Sequence, residues 1–221
     1  MGFQELHRWE VTPQQAIAIQ EQLRPRVEQQ DRLGTVRTVA GVDVGFEGQG
    51  RVTRASVAVL SFPGLELLDW KIACRLTTFP YVPGLLSFRE VPAILQALGE
   101  LDELPDLLLC DGQGLAHPRR FGLACHLGLL ADLPSIGVAK SRLTGRHAPV
   151  GEARGDWQPL EDGGEVIGAA LRTRPGTKPV FVSIGQRVCL ETAIEYTLRC
   201  LGKYRLPETT RQAHRLASGL S

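Results

Sequence analysis

The chain has 221 residues with a formal net charge of +1, and 43% of the residues are hydrophobic and 22% are charged. These values predict one soluble globular domain over residues 1–221 and exclude a disordered or fibrous chain; any nucleic-acid-binding surface must be local, because the bulk charge is near zero. Five cysteines without CxxC spacing argue against a disulfide framework and a zinc site. We therefore expect a cytoplasmic monomer, without a membrane segment because no apolar run approaches about 18 residues.

The first third of the chain predicts a helix followed by three strands. Thr12, Pro13 and Gln15 form a helix start, with a capping Thr and Pro at the first helical position. The helix should continue to about residue 30. Val-rich segments at 35–46, 52–61 and 65–76 are separated by short turns, which is typical of an antiparallel meander.

The remaining chain alternates between helical and strand patterns. The predicted elements are a helix at 87–101, a strand at 105–110, a helix at 118–130, a strand at 134–139, a hairpin at 166–171 and 180–184, and helices at 191–201 and 208–218. Strands that alternate with helices imply parallel additions to the meander. The predicted fold class is α/β: a ribonuclease-H-like mixed sheet with helices on both faces.

Three acidic residues stand at positions that favour metal binding. Asp43 lies within an apolar strand, where a buried carboxylate needs a partner or a metal; the alternative is a strand-end residue that caps a turn. Asp111 follows a buried strand directly, at the edge where open α/β sheets bind ligands; the alternative is an ordinary Asp-Gly turn with Gly112. Glu90 fits a capping box with Ser87, which is the likelier local interpretation.

Converging carboxylates repel each other unless a cation lies between them. All-oxygen ligands suit a hard ion, so the predicted cofactor is Mg²⁺, with Mn²⁺ able to substitute. Such an ion would support phosphodiester cleavage, with Asp43, Glu90 and Asp111 in the catalytic set.

Basic and aromatic residues complete the candidate site. His117, Arg119 and Arg120 are predicted to open a helix and bind phosphate, or alternatively to form a solvated first turn. Lys140 ends a strand on the same side as Asp111 if the strands are parallel, and would offset transition-state charge. Tyr81, in a loop stiffened by two prolines, can wedge between bases or simply pack in a turn.

His214 lies alone in the last predicted helix, where a histidine is more often structural than a ligand.

Taken together, four segments resemble the endonuclease V family of deaminated-base repair nucleases. They are AGVDV at 40–44, PYVPGLLSFRE at 80–90, DGQGLAHPRRFG at 111–122 and SIGVAKSRL at 135–143. The resemblance runs in order from about residue 36 to 145 and continues more weakly beyond it. One departure is Gly45-Phe46, where the family has a small residue and then Tyr.

The resemblance implies a Mg²⁺-dependent DNA repair endonuclease of ribonuclease-H-like fold. It would recognise deoxyinosine and cut the second phosphodiester bond on the 3′ side, leaving 3′-hydroxyl and 5′-phosphate ends. Its partner is damaged DNA, with single-stranded DNA or RNA as further substrates to test. Alternatives are a non-cleaving inosine-binding protein, a junction resolvase and an inosine-specific ribonuclease.

By matching positions, the resemblance also assigns roles to residues. The catalytic residues are Asp43, Glu90, Asp111, His117 and Lys140, and the metal ligands are Asp43, Asp111, Glu90 and His214. The residues expected to contact the DNA or the lesion are Tyr81, Pro83, Gly84, Leu85, Arg89, Gly112, Arg119, Arg120 and Leu143.

Overall fold

The structure, a computed structural model, describes residues 2–218 of the chain. The strands in this span are β1 Thr38–Glu47, β2 Val52–Ser61, β3 Leu67–Leu76, β4 Leu107–Cys110, β5 Ser135–Ala139, β6 Trp157–Asp162, β7 Glu165–Leu171 and β8 Val180–Gln186. The α-helices are α1 Pro13–Leu23, α2 Leu86–Gly99, α3 Leu123–Ala131, α4 Leu190–Arg199 and α5 Glu208–Ala217.

All of these strands join one mixed sheet, in the order β3-β2-β1-β4-β5-β8-β7-β6. Strands β1, β2 and β3 form the predicted antiparallel meander, and β4 and β5 add to it in parallel. Strand β8 then pairs antiparallel with β5, and β7 and β6 follow as antiparallel neighbours. The predicted mixed α/β sheet is therefore confirmed.

Helices cover both faces of the sheet, as strand β1 makes clear. Ala40 and Val42 share an apolar cluster with Val91 of helix α2 on one face. Gly41, which points the opposite way because side chains alternate along a strand, lies against Thr209 of helix α5. A Cβ atom at Gly41 would overlap the Thr209 carbonyl group, so the glycine allows α5 to lie directly on the strand.

Three local predictions were wrong for identifiable reasons. Helix α1 ends at Leu23, because Pro25 interrupts it and a short 3₁₀ turn follows. Helix α3 begins at Leu123 rather than at 118, since Arg120 adopts a left-handed conformation with φ 55°. Strand β6 was not predicted; it contains Pro159, which is tolerated because β6 lies at the edge of the sheet.

A pair of histidines, the half-buried His7 and the buried His126, ties the N-terminal segment to the helices. The Nε2 atoms of His7 and His126 lie 2.7 Å apart, and His126 Nδ1 lies 2.9 Å from Ser87 Oγ. His7 Nδ1 must donate to the Arg8 carbonyl, 2.7 Å away, so a neutral His7 accepts from His126. Burial lowers the pKa of both histidines and favours this uncharged arrangement.

None of the helices between residues 2 and 218 combines the length and apolar character that crossing a bilayer requires.

Candidate active site

Two aspartates meet at one edge of the sheet because their strands run in parallel. Val42 of β1 is in register with Cys110 of β4, and the next residue along each strand is Asp43 or Asp111. The Asp111 amide donates a hydrogen bond to the Val42 carbonyl at 3.3 Å, which extends the ladder to this point. Asp111 thus follows the carboxyl end of β4, as predicted, and Asp43 lies inside β1, as predicted, at the point where the pairing with β4 ends.

Glu90 reaches the same edge from helix α2. The helix begins at Leu86 after Leu85, and neither Ser87 nor Glu90 caps it, so the capping-box interpretation was wrong. The Glu90 side chain is only 7% exposed. Burial and then the negative charges of Asp43 and Asp111 raise the pKa of Glu90 to about 8. The three carboxylates therefore interact with one another electrostatically.

Basic side chains pair with both aspartates. Lys140, which directly follows strand β5, places Nζ 2.6 Å from Asp111 Oδ2. His214 of helix α5 places Nδ1 2.7 Å from Asp43 Oδ2. Burial raises the pKa of Asp43, and the His214 hydrogen bond opposes that effect while the charge of Asp111 adds to it.

The donor set fits a hard cation in its chemistry. The carboxylate oxygens of Asp43, Glu90 and Asp111 suit Mg²⁺ or Mn²⁺, and the imidazole of His214 adjoins them through its contact with Asp43. The Glu90 carboxylate accepts no hydrogen bond from a side chain or backbone group between residues 2 and 218, which leaves its oxygens available to an ion. Among residues 2–218, no three acidic, histidine or cysteine side chains already surround one ion position. Asp43 contacts His214 instead, and Asp111 contacts Lys140.

Next to this edge lies a cavity beneath the loop that carries Tyr81. Tyr81 is 72% exposed, as a residue that inserts between bases must be. The cavity is lined by Gln20, Tyr81, Val82, Pro83, Gly84, Leu86, Ser87, Gln113, His117, Gly122, Leu123 and Leu143. Four predicted DNA-contacting residues are thus brought together here. Leu85 instead lies in an apolar cluster with Phe79 and Phe88, and neither it nor Gly112 lines the cavity.

His117 and Arg119 bond within the protein. His117 Nε2 donates to the Gly84 carbonyl at 3.0 Å, and Nδ1 accepts from the Arg119 amide at 3.2 Å. Burial, reinforced by the charge of Arg119, lowers the pKa of His117 to about 4 and keeps the ring neutral. With both ring nitrogens occupied, a direct role of His117 at a reacting phosphate stays a prediction.

Two other predicted DNA contacts lie apart from the cavity. Arg120 pairs with Asp162 and Glu165 at 2.9 Å each, and the helix N-terminus predicted for it does not exist, because α3 starts after Gly122. Arg89 lies over the ring of Phe46, with Cζ 4.3 Å from the ring centroid. Phe46, the residue that departs from the family pattern, therefore supports Arg89 through its ring face.

A basic surface beside Asp111 was largely missed by the sequence analysis. The residues that line it are Asp111, Lys140, Tyr204, Arg205, Leu206, Thr210, Arg211, His214 and Arg215. Arg205 Nη2 donates to the Lys140 carbonyl at 2.8 Å, and Arg211 stacks on Tyr204 with 3.5 Å between Cζ and the ring centroid. The available signal was the spacing of Arg211 and Arg215, four apart on one face of α5.

Comparisons with known proteins agree on one family. A family model described as Endonuclease V matches residues 21–215. A relative from Trichormus variabilis (strain ATCC 29413 / PCC 7937), named Endonuclease V, is 57% identical over 219 residues and is covered to 99%, as is this chain. The crystal structure of Endonuclease V from Streptomyces avermitilis has a TM-score of 0.91 at 46% identity, covering 96% of this chain and 93% of that one.

Another similar structure contains a nucleic acid. It is Endonuclease V (D234N) from Ciona intestinalis in complex with a 23-mer DNA that contains an inosine followed by a ribo-adenosine. Its TM-score is 0.82 at 28% identity, with 95% of this chain and 98% of that chain covered.

Proposed function

This chain belongs to the endonuclease V family, and we propose that it recognises deoxyinosine and hydrolyses the second phosphodiester bond on its 3′ side. The products would carry 3′-hydroxyl and 5′-phosphate ends. The inosine-containing DNA bound by the Ciona intestinalis relative supports the choice of lesion. Membership of the family supports the nuclease activity.

The proposal depends on one observation: three different elements bring Asp43, Asp111 and Glu90 to the same part of the sheet, next to the cavity lined by the exposed Tyr81. Asp43 and Asp111 directly follow residues that are paired in β1 and β4, and the charges of both raise the pKa of the buried Glu90 on α2. The cavity under Tyr81 offers a place for a base that has left the stack. Recognition and cleavage would thus occupy adjacent parts of one surface.

Asp43, Glu90 and Asp111, with His214 beside them, would hold Mg²⁺, and Mn²⁺ would substitute. A bound cation supplies Lewis-acid stabilisation of the phosphate and favours deprotonation of the attacking water. Lys140 lies 2.6 Å from Asp111, so its ammonium group is placed to offset negative charge that develops on the phosphate. Tyr81 would fill the gap left in the base stack.

The test is cleavage of matched inosine and control duplexes with Mg²⁺, with Mn²⁺ and with EDTA, followed by mapping of both product ends. Asp43→Ala and Asp111→Ala should abolish cutting but retain DNA binding, because phosphate contacts supply much of the affinity. Asp102→Ala, at an exposed position, is the matched control. A shifted band without product would identify a non-cleaving inosine-binding protein.

Further substrates separate the remaining alternatives. Preferential cutting of a branched junction would indicate a resolvase, and preferential cutting of an RNA–DNA hybrid would indicate a ribonuclease H relative. Inosine placed in single-stranded DNA and in RNA measures the range of strands accepted. Full activity of the Asp43 and Asp111 variants on every substrate would remove both residues from the mechanism.

A further inference from the structure

Gln20 is a buried polar residue outside the predicted site and outside the segment that matches the family model. It lies on helix α1, where its side chain is 1% exposed, and it lines the cavity beneath Tyr81. A glutamine buried this completely needs partners for its carbonyl oxygen and for both amide hydrogens. The identity of those partners indicates what the residue does.

All of the hydrogen-bonding capacity of the Gln20 amide is directed to the loops around the cavity. Nε2 lies 3.1 Å from the Gly84 carbonyl and 3.1 Å from the Phe121 carbonyl. Oε1 accepts from Arg119 Nε at 2.5 Å. Because the two carbonyls can only accept, the amide nitrogen must face them, and the orientation of the side chain is fixed by chemistry.

The Gly84 carbonyl is the point at which these contacts converge. It accepts from Gln20 Nε2, from Arg119 Nη2 at 2.7 Å and from His117 Nε2 at 3.0 Å. Gly84 has a φ of 79°, and a Cβ atom there would lie 2.8 Å from Arg119 Nη2. Only glycine therefore combines this backbone conformation with so close an approach of the arginine.

We propose that Gln20, Arg119 and His117 form a positioning network that fixes Gly84 and thereby holds the Tyr81 loop over the cavity. This inference rests on the proposed function, because the loop matters only if a base enters beneath it. Helix α1, the Tyr81 loop and the segment that follows Asp111 are joined through one carbonyl oxygen. Gln20 is a positioning residue, since it acts on the loop and not on the reacting atoms.

The network explains why buried polar groups occur at this point. Without it, the Gly84 and Phe121 carbonyls would each lose a hydrogen-bond donor from Gln20, and Arg119 Nε would lose its acceptor. The loop would then sample other positions. Binding the lesion would have to order the loop again, and this entropic cost would reduce the affinity for the lesion. We therefore expect weaker and less selective binding of the lesion. The cleavage rate of DNA that is already correctly bound should change little.

The most informative variant is Gln20→Glu. It keeps the size and shape of the side chain but places a carboxylate oxygen, which cannot donate, against the Gly84 and Phe121 carbonyl oxygens. Gln20→Met removes the hydrogen bonds while preserving volume. Gln22→Glu, at an exposed position on the same helix, makes the same charge change and is the matched control. Thermal unfolding and affinity for undamaged DNA show whether each variant is folded.

The readouts are single-turnover cleavage of an inosine duplex over a range of enzyme concentrations, and fluorescence of 2-aminopurine placed beside the inosine. We expect both Gln20 variants to raise the half-saturating enzyme concentration about tenfold or more, which corresponds to one or two lost hydrogen bonds. The rate at saturation should change less, and the fluorescence increase on base extrusion should diminish. Affinity for undamaged DNA should stay near that of the Gln22 control.

The outcomes separate this inference from the proposed function. If the wild type cuts inosine DNA and folded Gln20 variants match the Gln22 control in half-saturation and fluorescence, the network has no positioning role. A fall in the saturating rate alone would also overturn it. If the wild type leaves inosine DNA intact under every metal condition, the proposed function itself fails, and this inference fails with it.

Discussion

Glu90 should make the metal-free protein less stable as the pH rises. Its pKa is about 8 in the folded protein and 4.5 for the free side chain. The folded state therefore binds the proton more tightly between these values, so Glu90 reduces the free energy of unfolding as the pH rises from about 4.5 to about 8. A difference of 3.5 pKa units corresponds to about 5 kcal/mol when fully developed.

The perturbation that tests this is Glu90→Gln, studied with EDTA because a bound cation would favour the ionised carboxylate. Replacing Glu90 by Gln should raise the free energy of unfolding, and the increase should be about 4 kcal/mol larger at about pH 9 than at about pH 5. At about pH 5 the destabilisation caused by Glu90 is still less than about 1 kcal/mol. Urea unfolding followed by circular dichroism measures both free energies. Glu103→Gln, at an exposed position, is the matched control. An equal gain at both pH values would refute the electrostatic account of Glu90.

Three further predictions concern other parts of the molecule. Tyr81→Ala should lower the preference for inosine over undamaged duplex in competition cleavage, whereas Tyr81→Phe should keep it; unchanged selectivity in the alanine variant would rule out a wedge. Arg120→Ala should lower the free energy of unfolding by about 1 kcal/mol through loss of its ion pairs. Because Arg120 is held by Asp162 and Glu165, the salt dependence of DNA binding should stay unchanged. A weaker dependence of affinity on salt concentration would mean that Arg120 contacts phosphate. Burial lowers the pKa of His126, so the unfolded state takes up the proton first and the free energy of unfolding falls as the pH drops below about 6.5. In urea unfolding, His126→Gln should lose less of this free energy than the wild type over the same pH range. Equal losses in the two proteins would contradict this account.

The parts of the fold that could be predicted from the sequence depend on local patterns. Alternating and continuous apolar segments indicated the meander and the buried strand that ends before Asp111, because burial of one or both faces imposes those patterns. Parallel pairing then places Asp43 beside Asp111 by topology alone. For this reason the position of Asp43 beside Asp111 follows from the predicted strands, whereas metal binding by these residues stays a prediction.

The features that could not be predicted depend on distant residues. Arg120 looked like a phosphate contact because its partners Asp162 and Glu165 lie 42 and 45 positions away in the chain. Gln20 showed no local signal, since its bonds reach Gly84 and Arg119, 64 and 99 positions further on. Ser87 and Glu90 fitted a capping box, yet the helix begins at Leu86, two residues earlier than that motif requires. In each case tertiary contacts decided the role.

The close approach of helix α5 to strand β1 has a consequence for protein synthesis. Asp43 emerges from the ribosome long before His214, its partner 171 residues later, and β1 keeps one face uncovered until Thr209 reaches Gly41. A partly translated chain thus presents acidic groups on an unfinished scaffold. A chain that ends before α5 should therefore leave the Gly41 face of β1 uncovered and Asp43 without its histidine partner, so this part of the site can form only after the last helix has been made.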